Sequence, residues 1–462
     1  MTTMAGVLTV CMYLAASGAA PAAGATQSPA VWKAGVATVV ITPEQPIWMA
    51  GYAARNKPSE GKVHELQAKA LALEDAQGAR LVIVTADLIG FPREFRDQLE
   101  KEVGERYKLS RESLLLNPSH THSGPELRAW RTTQAWDLPE GQIELCRQYS
   151  ETLRGKLVEL VGRALADLSP AQLAYLHAKA AVAMNRRSQT DHGYVIGPNA
   201  DGPVDHDVPV LRVDAPEGKL RALLFGYACH NTTLDFYQFC GDYAGFAQQY
   251  VEQTHPGTVA LFMIGCGGDQ NPTPRRTLEW AQQHGRTLAS SVEAALVGKP
   301  RPVGGPLRVA LEEVTLELAG PPSVEQLKQQ AKSNDKYERR NAEDLLSALE
   351  KGTVASTYPY LVHVIQFGDD LTMIGLAGEV VVDYSLRLKK ELSGTPVWVA
   401  GYCNDVFGYV PSRRVLEEGG YEAYNSILYY GTMLTPFAPS VEERIVGKVH
   451  ELVDKVRAPA SK

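Results

Sequence analysis

Short apolar, β-rich runs alternate with longer amphipathic stretches along almost the whole chain, which restricts the fold to packed layers of sheet and helix. Leu81–Thr85 reads as a strand and Arg93–Tyr107 as a helix, and Leu114–Leu116 lies in an apolar run that turns at Asn117-Pro118. Ile143–Leu168 has helical spacing and stops near Ser169-Pro170. Val208–Val213 and Leu220–Tyr227 flank Pro216-Glu217-Gly218 as a hairpin. Thr258–Ile264 is a nearly all-apolar strand ending in glycines, and Leu278–Leu296 is a helix. Two strands bracket Gly368-Asp369-Asp370, a helix follows Glu379, Val397–Ala400 is a late strand, and Val441–Val456 is an amphipathic helix. The Lys- and Glu-rich stretch 323–352 reads as a surface helical pair inserted into the domain. The expectation is an α/β fold: a single large layered domain over 31–458, with a mixed β-sheet flanked by helices.

The first thirty residues differ in kind. No charged side chain occurs from Met1 to Trp32, Gly6–Ala16 is apolar, and Ala20-Pro21-Ala22 and Ala23-Gly24-Ala25 resemble cleavage sites. This predicts a signal peptide over residues 1–25 and export, periplasmic or secreted. The competing reading is a buried apolar N-terminal helix. Lys plus Arg is 46 against 53 for Asp plus Glu, a net charge of −7, which argues against a nucleic-acid partner. With the leader removed, Cys146, Cys229, Cys240, Cys266 and Cys403 remain, without a Cys-x-x-Cys zinc pattern. They read first as small buried hydrophobes, with a Cys229–Cys240 bridge left open.

The strongest chemical signal is Ser119-His120-Thr121-His122-Ser123-Gly124-Pro125, directly after an apolar strand. Two histidines one residue apart at a strand end can face one metal or one substrate atom. The bland alternative is a pair of hydrogen-bonded loop histidines. Other polar groups sit at later strand ends: His230, Gly265-Cys266-Gly267-Gly268-Asp269-Gln270-Asn271, Gly378-Glu379, and Tyr402 to Tyr409. Gathering polar groups at strand ends is how open α/β sheets build sites, and the glycines are expected to let backbone approach a ligand.

In order and spacing these pieces, with Asn185-Arg186, Gly241-Asp242-Tyr243-Ala244-Gly245 and Tyr421-Glu422, resemble the neutral, non-lysosomal ceramidases. The resemblance implies a ceramidase-type catalytic domain and a catalytic Zn²⁺ held by His120, His230, Glu379 and Tyr409. It also implies that His122, Arg186 and Tyr421, the last twelve positions after Tyr409, line the same site. Where that family has Gly-Asp-Val-Ser-Pro-Asn, this chain reads Gly268-Asp269-Gln270-Asn271-Pro272-Thr273, so Asn271 stands in place of an active-site serine. Asn271 can orient a substrate but offers no hydroxyl nucleophile. The family's C-terminal immunoglobulin-like domain is expected to be absent.

Two imidazoles and a carboxylate suit zinc, which can activate water for attack on an amide carbonyl. His122 could then carry a proton to the departing amine, and Arg186 and Tyr421 could hold the developing oxyanion. For Arg186 a surface salt bridge is the alternative, and with Arg187 next to it one of the two is expected to point elsewhere. Tyr424, Tyr429, Tyr430 and Phe437 could line an apolar groove, or be plain core. The expected function is hydrolysis of an N-acyl amide, ceramide or a related N-acyl lipid or small molecule, with transient membrane-surface contact. The alternatives are a non-catalytic lipid- or glycan-binding relative and another metallo-amidohydrolase class, such as a TIM barrel, acting on a non-lipid amide. Oligomeric state is left open.

Overall fold

A computed structural model describes residues 1–2, 32–128 and 138–458. The leader expected over 1–25 falls almost wholly outside the described residues. Two mixed sheets dominate. The larger has nine strands, eight of them in the spatial order Val259–Ile264, Leu220–Tyr227, Asp207–Asp214, Ser169–Lys179, Trp32–Val40, Gln67–Asp75, Arg80–Ala86, Leu114–Pro118. The ninth, Arg301–Val303, also pairs with Ser169–Lys179. The outermost pair at each edge is parallel, and the pairs between them are antiparallel. The second sheet runs Leu307–Glu317, Thr357–Phe367, Leu371–Leu376, Val397–Ala400.

Period-two alternation explains how the layers stack. In Gln67–Asp75, Ala68, Ala70 and Ala72 pack beneath the helices Arg93–Tyr107 and Glu140–Ala166, while Leu71 and Leu73 face the second sheet. In Val259–Ile264, Ala260, Phe262 and Ile264 meet the helices Asp242–Thr254 and Leu278–Val297, while Leu261 and Met263 join that same inter-sheet core. From the other side, Ile365, Phe367, Met373 and Trp398 fill the shared core. The helices Val382–Glu391 and Val441–Arg457 cover the outer face of the four-stranded sheet. The expected α/β layering is present with one refinement: two sheets lie face to face with helices outside both. A TIM barrel is thereby excluded.

The stretch 323–352 forms two helices, Val324–Gln330 and Lys336–Lys351, with Ser323 closing a capping box and Asp335 capping the second. Phe437, one of the expected groove aromatics, belongs instead to the core around Phe407. All five cysteines of the described residues are buried and free, so Cys229 and Cys240 form no bridge. No helix among the described residues is long and apolar enough to cross a membrane.

Candidate functional site

The strand ends of both sheets meet at one place, and Asn117 fastens them. It ends the edge strand Leu114–Pro118, accepts from Ile264 N at 2.8 Å on the opposite edge strand, and donates to Gly401 O at 2.9 Å. Beyond it, Thr121 pairs with Asn231 in an isolated bridge, His122 N donates to Asn231 O at 3.1 Å, and Asn231 Nδ2 donates to Ser119 O at 2.8 Å. His120 and His230 are thus set side by side, although 110 positions apart in sequence. His120 itself adopts a left-handed φ of 59°, a local strain of the kind kept at functional sites. Glu379 and Tyr409 are direct neighbours in a two-residue parallel ladder, Glu379–Val380 against Tyr409–Val410.

The result is a tight constellation. His120 Nε2 lies 3.2 Å and His230 Nε2 2.8 Å from Glu379 Oε2. Tyr409 Oη is 3.1 Å from His230 Nε2, and His122 Nε2 is 3.2 Å from His120 Nε2. The ring nitrogens of His120, His122 and His230 lie within 4.8 Å of one another. His120 Nδ1 donates to Ile89 O and His230 Nδ1 to Gly267 O, each at 2.6 Å. Both Nε2 atoms therefore present lone pairs inward. Burial, reinforced by the Arg186 guanidinium, lowers the His230 imidazole to about 4, so it is neutral at pH 7.

These facts test whether a cation fits. Glu379 Oε2 is a buried acceptor without a hydrogen-bond donor, and two imidazole lone pairs face it. Acceptors crowded this closely repel unless a positive charge sits among them. Two imidazoles and a carboxylate match the donor types that zinc takes, and the Tyr409 phenol stands beside them as a further oxygen. The four residues named from sequence as metal ligands are all brought together.

The groups behind the donors are equally ordered. Tyr430 Oη donates to Glu379 Oε1, and the Tyr402 ring lies 4.4 Å from that of His120. Arg186 Nη2 donates to Tyr409 Oη at 2.8 Å, Nε to Glu422 Oε1 at 2.8 Å, and Nη1 to Asn271 Oδ1 at 3.4 Å. Burial lifts the Tyr409 phenol well above its usual value, and the guanidinium pulls it the other way. Asn271 Oδ1 also accepts from Thr232 Oγ1 at 3.3 Å. The Tyr421 ring stands edge-on to Tyr409 at 5.3 Å, in a one-turn π-helix, Tyr421–Asn425, a form often found at functional sites. His122 packs on Tyr52 at 4.8 Å. Gly51 lies against the His122 ring with φ 101°, and a Cβ there would come within 2.5 Å of it. Burial, with His120 and His230 adding to it, holds His122 well below its usual value and so neutral.

Two expectations need correcting. Arg186 and Arg187 do not diverge: a β-bulge between Asn185 and Arg187 breaks strand alternation, and both side chains reach Glu422. The glycines after Ile264 do not serve ligand approach; a Cβ on Gly267 would strike Cys229 N at 2.8 Å, and one on Gly268 would strike Glu379 O at 2.6 Å. They let the strand-end loops pack backbone to backbone.

A cavity of about 280 Å³ opens onto the donors, lined by His122, Glu379, Tyr409, Tyr421, Tyr429 and Tyr430 together with Glu126 and Arg128. Of the expected groove aromatics, Tyr429 and Tyr430 line it, whereas Tyr424 is exposed with its hydroxyl on Leu416 O. Glu126 and Arg128 were not reached from sequence, because only long-range packing brings them here; Tyr430 was expected only as a groove aromatic, and its bond to Glu379 was not foreseen.

The family model described as neutral/alkaline non-lysosomal ceramidase, N-terminal, matches residues 32–281. The chain belongs to that family. This ceramidase-family chain is 24% identical over 251 residues to Neutral ceramidase A of Dictyostelium discoideum, a match covering 49% of this chain and 34% of the relative. The match thus spans about a third of that relative's length. The crystal structure of neutral ceramidase from Pseudomonas aeruginosa superposes with a TM-score of 0.70 at 18% identity, over 94% of this chain and 76% of that one. A solved ceramidase complexed with C2 matches with the same TM-score and identity, over 94% of this chain and 77% of that one. At that identity the likeness establishes the shared fold.

Proposed function

We propose that this ceramidase-family chain is a zinc-dependent hydrolase that cleaves the amide bond of ceramide or a related N-acyl compound. The observation that carries this reading is the group of unprotonated donors around one point, His120 Nε2, His230 Nε2 and Glu379 Oε2, with Tyr409 Oη beside them. Those four residues would hold the ion. When bound, zinc supplies Lewis acidity to carbonyl and water.

The chain's own residues supply the rest. Neutral His122 accepts the proton of the attacking water and returns it to the departing nitrogen, so that amide plus water becomes carboxylic acid plus amine. Arg186, kept charged by Tyr409 and Glu422 against the cost of burial, offers donors to the oxygen on which negative charge grows. Tyr421, on the same cavity, offers its hydroxyl to the same oxygen. Asn271 lacks a hydroxyl, so in this reading it orients Arg186 and the substrate, and water is the nucleophile.

Ceramide as substrate is supported by the names of the relative and of the solved structures. The test is a panel of N-acyl substrates incubated with the purified chain, with and without added zinc and after chelation. Zinc-dependent release of fatty acid is the expected result. Full activity in a metal-free preparation would sink the mechanism, and inertness towards every amide would leave the non-catalytic binding reading standing.

A further inference from the structure

Tyr52, which lines the cavity and packs on His122, is surrounded by arginines. The Arg55 guanidinium carbon lies 4.9 Å and that of Arg276 5.5 Å from the centre of its ring. Arg275 is half-buried, and its charge acts on Tyr52, Arg276, Arg186 and Asp242. The charge of Arg55 reaches His122. The group is therefore within electrostatic reach of both His122 and Arg186.

Two of these guanidiniums have no carboxylate. Arg55 is 6% exposed, yet it bonds only the carbonyls Ala50 O and Phe236 O, the latter at 3.1 Å, and its Nε is buried without a partner. Among the described residues Arg275 makes no hydrogen bond or ion pair, and its Nε is likewise buried without an acceptor. Asp242 does not neutralise Arg275: its oxygens accept Leu234 N at 2.9 Å and Tyr243 N at 2.6 Å, and burial raises it to about 6. Asp235 is spent on Arg276, at 2.9 Å on the surface. Burial lowers Arg55 to about 10 and shifts Arg275 in the same direction, and both remain charged at pH 7. Buried charge without a counter-charge is costly, and an oxyanion accepting from these forks would relieve that cost through charge-assisted hydrogen bonds. The half-buried Arg275 and exposed Arg276 leave the group open to such a ligand.

We propose that Arg275, with Arg55 and Arg276, forms an oxyanion subsite beside Tyr52 that takes a carboxylate or phosphate group. Its favoured source is the substrate itself, an N-acyl compound with an anionic amine part, and this rests on the N-acyl hydrolase reading. A fatty acyl chain carries no such group, so the charge belongs to the amine that departs beside His122. The other source of the same chemistry is free inorganic phosphate.

The experiment compares two amides of one fatty acid, with glycine and with glycinamide, which differ in a carboxylate against a neutral carboxamide of similar shape. With the zinc-loaded chain, kcat/KM is expected to favour the glycine amide by at least about tenfold. In Arg275→Gln, which gives up no hydrogen bond, the preference is expected to fall to about twofold or less. Arg276→Gln, at an exposed position, serves if that variant does not fold, and is expected to weaken the preference. A second arm follows melting temperature with inorganic phosphate, which is expected to raise that of the unmodified chain more than that of Arg275→Gln. Equal rates on the two amides together with that phosphate effect would make a free anion the ligand of the subsite. Equal rates with an identical phosphate shift in the variant would overturn the subsite, as would a glycine preference unchanged in both variants. Hydrolysis of neither amide would count against the hydrolase reading instead, and the phosphate arm then decides the subsite by the same comparison.

Discussion

Glu422 Oε1 lies 2.8 Å from Arg186 Nε, and this bond decides where the guanidinium points. The other carboxylate oxygen takes Arg187 Nη1 at 2.6 Å, so one buried carboxylate bridges two consecutive arginines, and Glu418 supplies Arg187 with a second carboxylate at 3.0 Å. Arg186 is left with Nη2 on Tyr409 Oη, at the edge of the donor set.

Replacing Glu422 by Gln keeps the shape and removes the charge that locks Arg186. We expect kcat to fall by about 10- to 100-fold while bound zinc stays stoichiometric and KM changes little. Kinetics paired with metal analysis check this; an unaltered kcat would show that Arg186 needs no such anchor.

His120→Ala removes one of two inward-facing imidazole lone pairs. Zinc content, read by elemental analysis, and amide hydrolysis are both expected to disappear. Chelation of the unmodified chain is expected to lower its melting temperature, since a ligand at a hundred times its Kd stabilises the folded state by about 2.7 kcal/mol.

Tyr337, on the inserted helix Lys336–Lys351, packs against Tyr429 with the rings tilted and 4.8 Å apart, and donates to Ala53 O at 3.3 Å. Both partners line the cavity, so the insertion ties two of its walls together. Tyr337→Ala is expected to broaden the acyl-chain lengths accepted, at a stability cost of about 1 kcal/mol because the side chain is only half-buried. Rates across a chain-length series test it, and an identical profile would deny the insertion that role.

Among the described residues the Asn271 side-chain oxygen accepts only the long contacts from Thr232 and Arg186, so Asn271→Ser should cost less than about 1 kcal/mol. If a hydroxyl at this position contributes to catalysis in this scaffold, ceramide turnover rises in the variant. No rise would mean that the residue acts through orientation alone.

Acid sensitivity should come partly from buried neutral histidines away from the donor set. Burial lowers His64 to about 4 and His363 to about 3. The unfolded chain binds these protons near pH 6.5 and the native chain only below 4, so stability falls as pH drops from 6.5 towards 3, by about 1.4 kcal/mol per unit of displacement. Urea midpoints at pH 7, 5 and 4 measure the slope. In His363→Gln, which can still donate to Glu112 O, the slope should be shallower.

Much of the layered architecture was legible because its periodicities are local. The helix read over Arg93–Tyr107 has those same bounds, and strands bracket Gly368-Asp369-Asp370 as expected, paired antiparallel. Gln67–Asp75 escaped notice because alanine, a weak strand former, fills its helix-facing positions. The polar strand Ala183–Thr190, which carries Arg186, offers no alternation once the bulge interrupts it.

The amino-acid sequence by itself determined which donors exist and which local element carries each, since the Ser119–Pro125 motif, the strand ends and the helix periods are written within a few residues. Only the tertiary structure decided that the two edges of the nine-stranded sheet meet at Asn117, that Tyr430 backs Glu379, and that Glu422 aims an arginine 236 positions away. The reason is physical. Hydrogen-bond and side-chain periods act over a turn or a pleat, whereas convergence depends on how two twisted sheets pack, and that is a property of the whole core.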